Sequence, residues 1–303
     1  MPDLTFPDGV LFFPVTPFDS HDRVDTEAME QHVASGVAHG PGAVFAVCGT
    51  GEFHALSLDE YGTGLRAAVA GAGGSVPVLA GTGGALGHAK DCARAAEEAG
   101  ADGLLVMPPY LVGGPQAGLV RYIEEIAAVT PLPLVVYHRG NAQFTADSVE
   151  ALLRIPSVAG IKDGVGDVAL AQQFVRVAAG FEREVLFFNG LLTAELSQVA
   201  YRAVGVPLYS SAVFAMAPEI ANAFYRAYRS DDSATMERLL DEFYVPLVQL
   251  RDETPGFAVS LIKAGLRLEG APVGSVRAPL TDPTPAQTDR LAVLLAHGRE
   301  LVA

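Results

Sequence analysis

Lysine is rare in this chain, and one lysine stands where a buried strand is expected. Lys162 is one of three lysines, with Lys90 and Lys263, against seventeen arginines, and it lies in the apolar run 158–164 (VAGIKDG). Burial disfavours the ammonium form, and a desolvated lysine is the usual nucleophile for Schiff-base chemistry on a carbonyl substrate. Arginine could not supply a neutral amine. The alternative is a lysine at a strand end whose ammonium group reaches water.

A tyrosine and an arginine end the preceding apolar run, 133–139 (PLVVYHR). Beside Lys162, the phenol of Tyr137 could move protons as a carbinolamine and an imine form; the alternative is a packed aromatic ring with its hydroxyl in water. Arg139 shares the face of Tyr137 because strand side chains alternate. It could bind a carboxylate through two hydrogen bonds or form only a surface salt bridge. His138 should point the other way, and we interpret it as structural.

A glycine-rich turn ends an earlier run. Successive backbone N–H groups at Gly49-Thr50-Gly51 could hold a carboxylate, and the Thr50 hydroxyl adds a donor. A second such stretch, 81–84 (GTGG), could be only a tight loop. Neither stretch matches a dinucleotide fingerprint or a phosphate loop, so we expect no nucleotide cofactor. No His, Asp and Glu set has the spacing of a metal site, so we expect no metal.

Short apolar runs that end in Gly, Pro, Ser or Asn recur eight times, and alanine-rich segments with helical spacing separate most of them. Such alternation indicates a parallel sheet covered by helices, and eight units favour a (β/α)8 TIM barrel. An open doubly wound sheet is the alternative. The runs are 10–18, 43–49, 77–83, 103–109, 133–139, 158–164, 185–190 and 206–211. The helical segments are 25–39, 58–71, 86–99, 116–129, 145–154, 167–179 and 192–203.

Strand signals stop after residue 211, and the remaining segments read as helices. The first should close the barrel as its eighth helix, and Ser233 and Thr284-Pro285 are plausible helix N-termini. We therefore predict a barrel over 1–229, carrying the active site, and a C-terminal helical region over 230–303. The helical segments are 217–229, 233–251, 255–268 and 285–301. In a TIM barrel, functional groups lie at the C-terminal ends of the strands, which is where the polar residues above are found.

Composition excludes several classes of protein. Half of the 303 residues are hydrophobic, and the net charge of -15 disfavours nucleic acid and anionic membranes as partners. An anionic substrate would need local cationic groups. The two cysteines, Cys48 and Cys92, make neither a disulfide framework nor a zinc spacing. The acidic N-terminal segment 1–8 is unlike a signal peptide, and no apolar run is long enough to span a membrane. We expect a soluble cytoplasmic protein.

Several motifs resemble one known family. FPVTPF at 13–18, GTGEF at 49–53, Tyr137 and GIKDG at 160–164 are similar to the dihydrodipicolinate synthase/N-acetylneuraminate lyase superfamily of class I Schiff-base lyases. The resemblance runs from about residue 6 to the end of the chain. It implies a (β/α)8 barrel, a homotetramer and no metal or organic cofactor. It also implies that Lys162 forms the Schiff base, that Tyr137 transfers protons, and that Gly49 and Thr50 hold the carboxylate next to the keto group.

Within the superfamily the chain most resembles the 5-dehydro-4-deoxyglucarate dehydratase branch. The synthase and sialate-lyase branches usually carry two adjacent hydroxyl residues before the Gly-Glu, whereas Gly49 stands first here. Leu111 stands where the synthases lend a tyrosine to a neighbouring subunit, which argues against synthase activity. The closer match lies in PPYL at 108–111, KDGVGD at 162–167, FNGLLTAE at 188–195 and YSSAVF at 209–214. Positions that depart from the branch pattern are His138, Gly140, Leu192 and Ala215.

The resemblance implies dehydration and decarboxylation of a keto sugar diacid, 5-dehydro-4-deoxy-D-glucarate, to 2,5-dioxopentanoate. We predict that Arg139, Asn189, Ser210 and Ser211 orient the distal hydroxyls and carboxylate. One alternative is a Schiff-base aldolase that cleaves a 2-keto-3-deoxy sugar acid to pyruvate. Another is a non-catalytic barrel that binds a keto acid. The four departures lie near the region where the distal end of the substrate is expected, so they bear on substrate identity more than on the lysine chemistry.

Overall fold

Eight parallel strands form a closed barrel in the computed structural model, which describes residues 4–303. Each strand pairs with the next along the chain, and β1 also pairs with β8 to close the barrel. This confirms the predicted TIM barrel. The strands are β1 Leu11–Phe12, β2 Ala43–Ala46, β3 Val78–Gly84, β4 Gly103–Pro109, β5 Leu134–His138, β6 Val158–Asp163, β7 Leu186–Asn189 and β8 Leu208–Ser211. Residues 1–3 of the acidic N-terminal segment lie outside the described part.

Within residues 4–303, eight α-helices follow the eight strands in turn, and four more α-helices come after them. The barrel helices are α1 Thr26–Val37, α2 Leu58–Ala72, α3 Leu86–Glu98, α4 Gln116–Ala127, α5 Ala146–Leu153, α6 Val168–Ala178, α7 Gln198–Ala203 and α8 Pro218–Arg229. The C-terminal helices are α9 Ser233–Leu239, α10 Val245–Asp252, α11 Phe257–Leu268 and α12 Pro285–Glu300. As expected, α8 is the first α-helix after the last strand, from which a 3-10 turn at Val213–Ala215 separates it. In the range 4–303 no helix combines the length and the apolar character that a membrane crossing needs.

Proline explains why the first strand is much shorter than the run 10–18 suggested. Only Leu11 and Phe12 are in the sheet. Pro14 and Pro17 have no N–H to donate to a ladder, so the chain cannot stay paired beyond them. At the end of the run, Phe18 makes an isolated antiparallel bridge with Val24.

Two predicted helices are interrupted. The segment 192–203 contains a 3-10 turn at Ala194–Leu196 before the short α7, with Ser197 in a non-helical conformation between them. The segment 233–251 contains a π-helical turn at Leu240–Tyr244 between α9 and α10. That turn comes directly before the first turn of α10, which holds Pro246. A proline cannot donate the regular i to i−4 hydrogen bond, so the helix widens there.

The helix N-termini at α9 and α12 match the capping residues in the sequence, except that the cap of α9 lies one residue earlier than predicted. Thr284 caps α12 in a full capping box with Gln287, and a proline occupies the first turn. At α9 the cap is Asp232, whose carboxylate accepts from the Thr235 N–H, so Ser233 is the first helical residue. Aspartate and serine cap about equally well, which leaves the choice to the surrounding chain.

Two apolar clusters hold the fold together. A small inner cluster fills the barrel with residues such as Leu11, Phe45 and Phe188. A much larger outer cluster lies between strands and helices and continues without a break into the C-terminal helices, where it includes Phe243 and Leu295. The apolar core is therefore continuous between the barrel and the C-terminal helices, although the architecture changes near residue 229.

Candidate active site

A cavity of about 490 Å³ opens at the C-terminal ends of the strands. It brings together six of the eight residues that the sequence singled out. These are Gly49, Thr50, Tyr137, Arg139, Lys162 and Ser210. Asn189 and Ser211 are not among the lining residues. Polar groups thus meet where a TIM barrel places its active site.

Lys162 lies near the end of β6 with its side chain inside the barrel. The residue is 4% exposed, and its nitrogen lies 3.8 Å from the centre of the Phe13 ring and 4.7 Å from that of Tyr137. The pKa of Lys162 is lowered to about 7, mainly by burial and to a smaller extent by the Arg139 charge, while Cys48 opposes the shift. The ring faces attract an ammonium group only weakly compared with water. A substantial fraction of neutral amine is therefore present near neutral pH.

Tyr137 is directly opposite Lys162 in the ladder between β5 and β6. Its hydroxyl donates to the carbonyl of Gly190 over 2.7 Å and accepts from Nη1 of Arg139 over 2.9 Å. Burial raises the pKa of Tyr137, and the Arg139 charge partly offsets that rise. The phenol is therefore protonated at neutral pH and has a fixed orientation, so it can give and take back a proton beside the amine.

Two glycines make room for the lysine and the tyrosine. A Cβ on Gly190 would lie 2.3 Å from Cε of Lys162, and a Cβ on Gly164 would lie 2.7 Å from the Tyr137 ring. Neither glycine has a positive φ, so the reason for glycine is space rather than backbone conformation. The sequence marked both residues only as strand ends, because a close approach between chain segments has no local signal.

The turn that follows β2 carries Gly49 and Thr50 to the cavity wall. The chain folds back so tightly that the Glu52 N–H donates to the Gly49 carbonyl over 3.1 Å. The Thr16 hydroxyl donates to the Gly51 carbonyl over 2.6 Å. A Cβ on Gly49 would meet nothing within 4 Å, so the missing side chain leaves open space in the cavity.

Strand alternation separates Ser210 from Ser211 and turns Asn189 away from the cavity. Ser210 faces inward, while the Ser211 hydroxyl donates to the buried carboxyl of Glu195 over 2.5 Å. The Asn189 side chain is fully buried and donates to the Ala194 carbonyl, the Ser197 hydroxyl and the Gln198 side chain. The Asn189 bonds hold the loop after β7. Asn189 and Ser211 therefore affect the site indirectly, by fixing the chain that surrounds the cavity.

Two of the four departing positions face the cavity. Gly140, with a φ of 55°, and Leu192, which is 46% exposed, both line it. His138 lies on the outer face of β5, where Nδ1 accepts from the Phe144 N–H over 2.8 Å, and burial lowers its pKa. Ala215 is buried in a 3-10 turn after β8. The departures therefore divide into two that shape the cavity and two that shape the packing behind it.

Helix α11 supplies a wall of the cavity that the sequence did not reveal. Ala258, Val259 and Ile262 line it, although they lie in the C-terminal helical region. The barrel therefore does not carry the site alone. The helical spacing of these residues indicates a buried face, but the sequence does not say what that face packs against.

Charge in the cavity is opposite in sign to charge on the molecule. The net charge is -15, yet none of the described residues that line the cavity is acidic, and Arg139 and Lys162 are both basic. Such a lining suits an anionic ligand. Among residues 4–303 no group of three or more His, Cys, Asp or Glu residues is arranged to hold a metal ion.

The family model of the dihydrodipicolinate synthetase family matches residues 6–297 of this chain. A curated relative from Streptomyces coelicolor, named probable 5-dehydro-4-deoxyglucarate dehydratase 1, is 54% identical over 99% of this chain and 95% of its own length. A relative from Azotobacter vinelandii, named probable 5-dehydro-4-deoxyglucarate dehydratase, is 42% identical over 95% of this chain and 94% of its own length.

Solved structures agree on the fold. A dihydrodipicolinate synthase from Bacillus clausii superposes with a TM-score of 0.86 at 24% identity, covering 96% of this chain and 98% of that one. An N-acetylneuraminate lyase from Mycoplasma synoviae gives a TM-score of 0.81 at 21% identity, with the same coverage. At these identities the likeness establishes the barrel with its C-terminal helices and no more.

Proposed function

Because the chain belongs to the dihydrodipicolinate synthetase family, we propose that it is a lyase that dehydrates and decarboxylates 5-dehydro-4-deoxyglucarate through a Schiff base on Lys162. The observation that carries the proposal is a desolvated amine beside a fixed phenol, in a cavity whose described lining includes two basic residues and no acidic one. The names of relatives at 54% and 42% identity support the choice of substrate.

The chemistry follows from the iminium group as an electron sink. The neutral amine of Lys162 attacks the keto carbon, and loss of water gives an iminium ion. The neighbouring methylene then loses a proton to form an enamine, which expels the next hydroxyl as water and leaves a conjugated iminium. The far carboxylate departs as carbon dioxide, and its bonding electrons pass through the double bond to nitrogen. Protonation and hydrolysis release 2,5-dioxopentanoate, with net uptake of one proton.

Each of the eight residues singled out in the sequence has a role in these steps. Tyr137 moves protons during formation and hydrolysis of the imine, since the centre of its ring lies 4.7 Å from the amine and hydrogen bonds fix its hydroxyl. The N–H groups of the Gly49-Thr50 turn bind the carboxylate next to the keto group. Arg139 and Ser210 orient the distal hydroxyls and carboxylate. Asn189 and Ser211 act indirectly, by fixing the loop after β7 and the end of β8.

Borohydride reduction tests the proposal, because it converts an imine to a stable amine. The protein is incubated with 5-dehydro-4-deoxyglucarate or with pyruvate, reduced, and examined by intact and peptide mass spectrometry. We expect an adduct on Lys162 from the diacid, with carbon dioxide released before the quench. Lys90→Met should keep the adduct, since Lys90 pairs with Glu125 outside the cavity, and Lys162→Met should lose it.

Other outcomes would assign a different function. Pyruvate as a product, or an adduct with pyruvate only, would keep the lysine chemistry and favour the aldolase. Tight reversible binding without any adduct would favour a keto-acid-binding barrel. Normal turnover by Lys162→Ala would refute the mechanism, and an unchanged Michaelis constant and turnover in Arg139→Ala would refute the role of Arg139.

We also propose a cytoplasmic homotetramer. Three consecutive apolar residues after β4, Tyr110, Leu111 and Val112, are each at least 68% exposed, and a second copy of the chain could cover them. Cys48 and Cys92 are buried free thiols, which fits a reducing compartment. Light scattering should give four times the mass of the chain, and a monomer would contradict the assembly without touching the chemistry.

A further inference from the structure

The turn that carries Gly49 and Thr50 has a costly backbone conformation at both ends. φ is 47° at Val47 and 55° at Glu52, the left-handed region that residues with side chains rarely adopt. Valine is especially disfavoured there because its side chain branches at Cβ. Strain of this kind persists only where the surrounding structure holds it. The contacts that hold this turn therefore bear on the shape of the site.

A buried ion pair holds the Glu52 end. Oε1 of Glu52 lies 2.7 Å from Nζ of Lys263, and both side chains are completely buried. Oε2 accepts from the backbone N–H of Arg277 over 2.7 Å. Lys263 also donates to the Ser275 carbonyl over 2.9 Å, and its nitrogen lies 4.1 Å from the centre of the Phe18 ring. Every partner of the Glu52 carboxylate thus comes from the C-terminal region.

Arg277 extends this attachment to the chain after the turn. Its Nη1 donates to the Ala55 carbonyl over 3.0 Å, and its Nη2 pairs with Glu60 in the first turn of α2 over 2.6 Å. Burial lowers the pKa of Lys263, and the Glu52 carboxylate opposes that shift. Burial of both charges therefore opposes the attraction gained over this short contact, and a buried ion pair is often no more stabilising than apolar residues of similar size.

Helix α11 connects this attachment with the cavity. Lys263 directly follows Ile262, which lines the cavity together with Ala258. One helix therefore forms a wall of the substrate site and also contacts the turn that carries Gly49 and Thr50. Through α11, the Glu52–Lys263 pair can affect the substrate site although Glu52 itself does not line the cavity.

We propose that Glu52 and Lys263 are positioning residues through which helix α11 holds the Gly49-Thr50 turn in its carboxylate-binding shape. The inference rests on the proposed role of that turn as the site for the carboxylate next to the keto group. The C-terminal region then affects the affinity for a keto acid, although the residues by which it lines the cavity, Ala258, Val259 and Ile262, have apolar side chains.

The test compares two ketones on a variant that keeps the core neutral. Glu52→Gln/Lys263→Met removes both charges, and replacing a whole buried pair is often tolerated, whereas Lys263→Met alone leaves an unpaired carboxylate. Reductive trapping on Lys162 is measured with pyruvate and with hydroxyacetone, which has no carboxylate. We expect the half-saturating pyruvate concentration to rise about tenfold, as when a charge-assisted hydrogen bond is lost. Trapping by hydroxyacetone should change less than twofold.

Lys90→Met is the matched control, because it removes a lysine from a partly exposed ion pair between α3 and α4. It should leave both ketones unchanged. Hydrogen exchange of segment 47–53 should accelerate in the double variant and not in the control. Unchanged pyruvate affinity with unchanged exchange would overturn the proposal, and an equal loss for both ketones would reduce the pair to a structural role. Absence of any adduct in the unmodified protein would instead refute the Schiff-base function, while the exchange result would still test whether the pair holds the turn.

Discussion

The amine of Lys162 meets the faces of two aromatic rings, Phe13 and Tyr137. Water is largely excluded from it, and the rings do not replace the hydrogen bonds that water would give. Burial therefore dominates and lowers the pKa of Lys162 to about 7. In the unfolded chain the ordinary value is 10.5, so the unfolded state binds more protons between these values. The contribution of Lys162 to folding stability consequently becomes less unfavourable as pH rises from 7 to 10.5.

The rate of imine formation should follow the same titration. Trapping of pyruvate on Lys162 with cyanoborohydride should accelerate about tenfold per pH unit below pH 7, because only the neutral amine reacts. Above pH 7 the rate should level off. Peptide mass spectrometry at fixed times from pH 5.5 to 9 measures it. A rate that still climbs tenfold per unit at pH 9 would show an ordinary lysine and remove the case for desolvation.

Residue type and position predicted this part of the site because the requirement is local. Once a barrel is assumed, its strand order fixes the positions of a lysine in an apolar strand and of a tyrosine in the preceding strand. The two residues are opposite each other in the ladder. Asn189 is different, since one step along a strand decides whether a side chain faces the barrel or the helices. Nothing in the run 185–190 fixes that phase.

At the scale of elements, the loop between β7 and α7 makes hydrogen bonds on its outer side and packs against both catalytic candidates on its inner side. Asn189 fastens it to the 3-10 turn at Ala194–Leu196. Gly190 lies against Lys162 and accepts the hydroxyl of Tyr137 through its carbonyl. Both catalytic candidates therefore depend on where this loop lies.

Gly190→Ala should displace the lysine. Its Cβ would lie 2.3 Å from Cε of Lys162 and 2.9 Å from the Asp163 carbonyl, so either the side chain or the loop must move. Displacement by about 1 Å can reduce turnover roughly a hundredfold. Steady-state kinetics measures the loss. Gly87→Ala is the control, because its Cβ would meet nothing within 4 Å in the first turn of α3. Equal turnover in both variants would show that the close approach is not required.

Asn189→Ala should lower stability more than substrate affinity. The variant removes a buried donor from three acceptors, and such a loss costs about 1–3 kcal/mol. Thermal unfolding and the Michaelis constant are measured together, and Ser210→Ala serves as the opposite case, with a raised Michaelis constant and little change in unfolding. A large rise in the Michaelis constant of Asn189→Ala at unchanged stability would instead support a direct substrate contact.

At the scale of the whole molecule, eight alternations of strand and helix predict a barrel because few other folds accommodate them. The role of α11 could not be predicted in the same way. Its buried face is evident from spacing, but Ala258 and Ile262 could pack against any apolar surface, and Lys263 finds Glu52 across 211 positions of sequence. Contacts of this range depend on how complete elements dock, which no local pattern records.

The net charge of -15 surrounds a cavity whose described lining holds Arg139, Lys162 and no acidic residue. A dianionic substrate is therefore repelled at long range and attracted at short range. Salt screens the first effect more strongly, since the Debye length falls from about 30 Å at 0.01 M to about 8 Å at 0.15 M, while buried contacts are screened little.

We therefore expect kcat/KM for the diacid to rise severalfold between these salt concentrations, with kcat almost constant because the bound state is shielded from solvent. Trapping of uncharged hydroxyacetone under the same conditions is the control and should not respond. If kcat/KM fell with salt, the field of Arg139 and Lys162 would extend beyond the cavity and outweigh the acidic surface. The approach of the substrate would then be steered by two residues rather than hindered by the rest of the molecule.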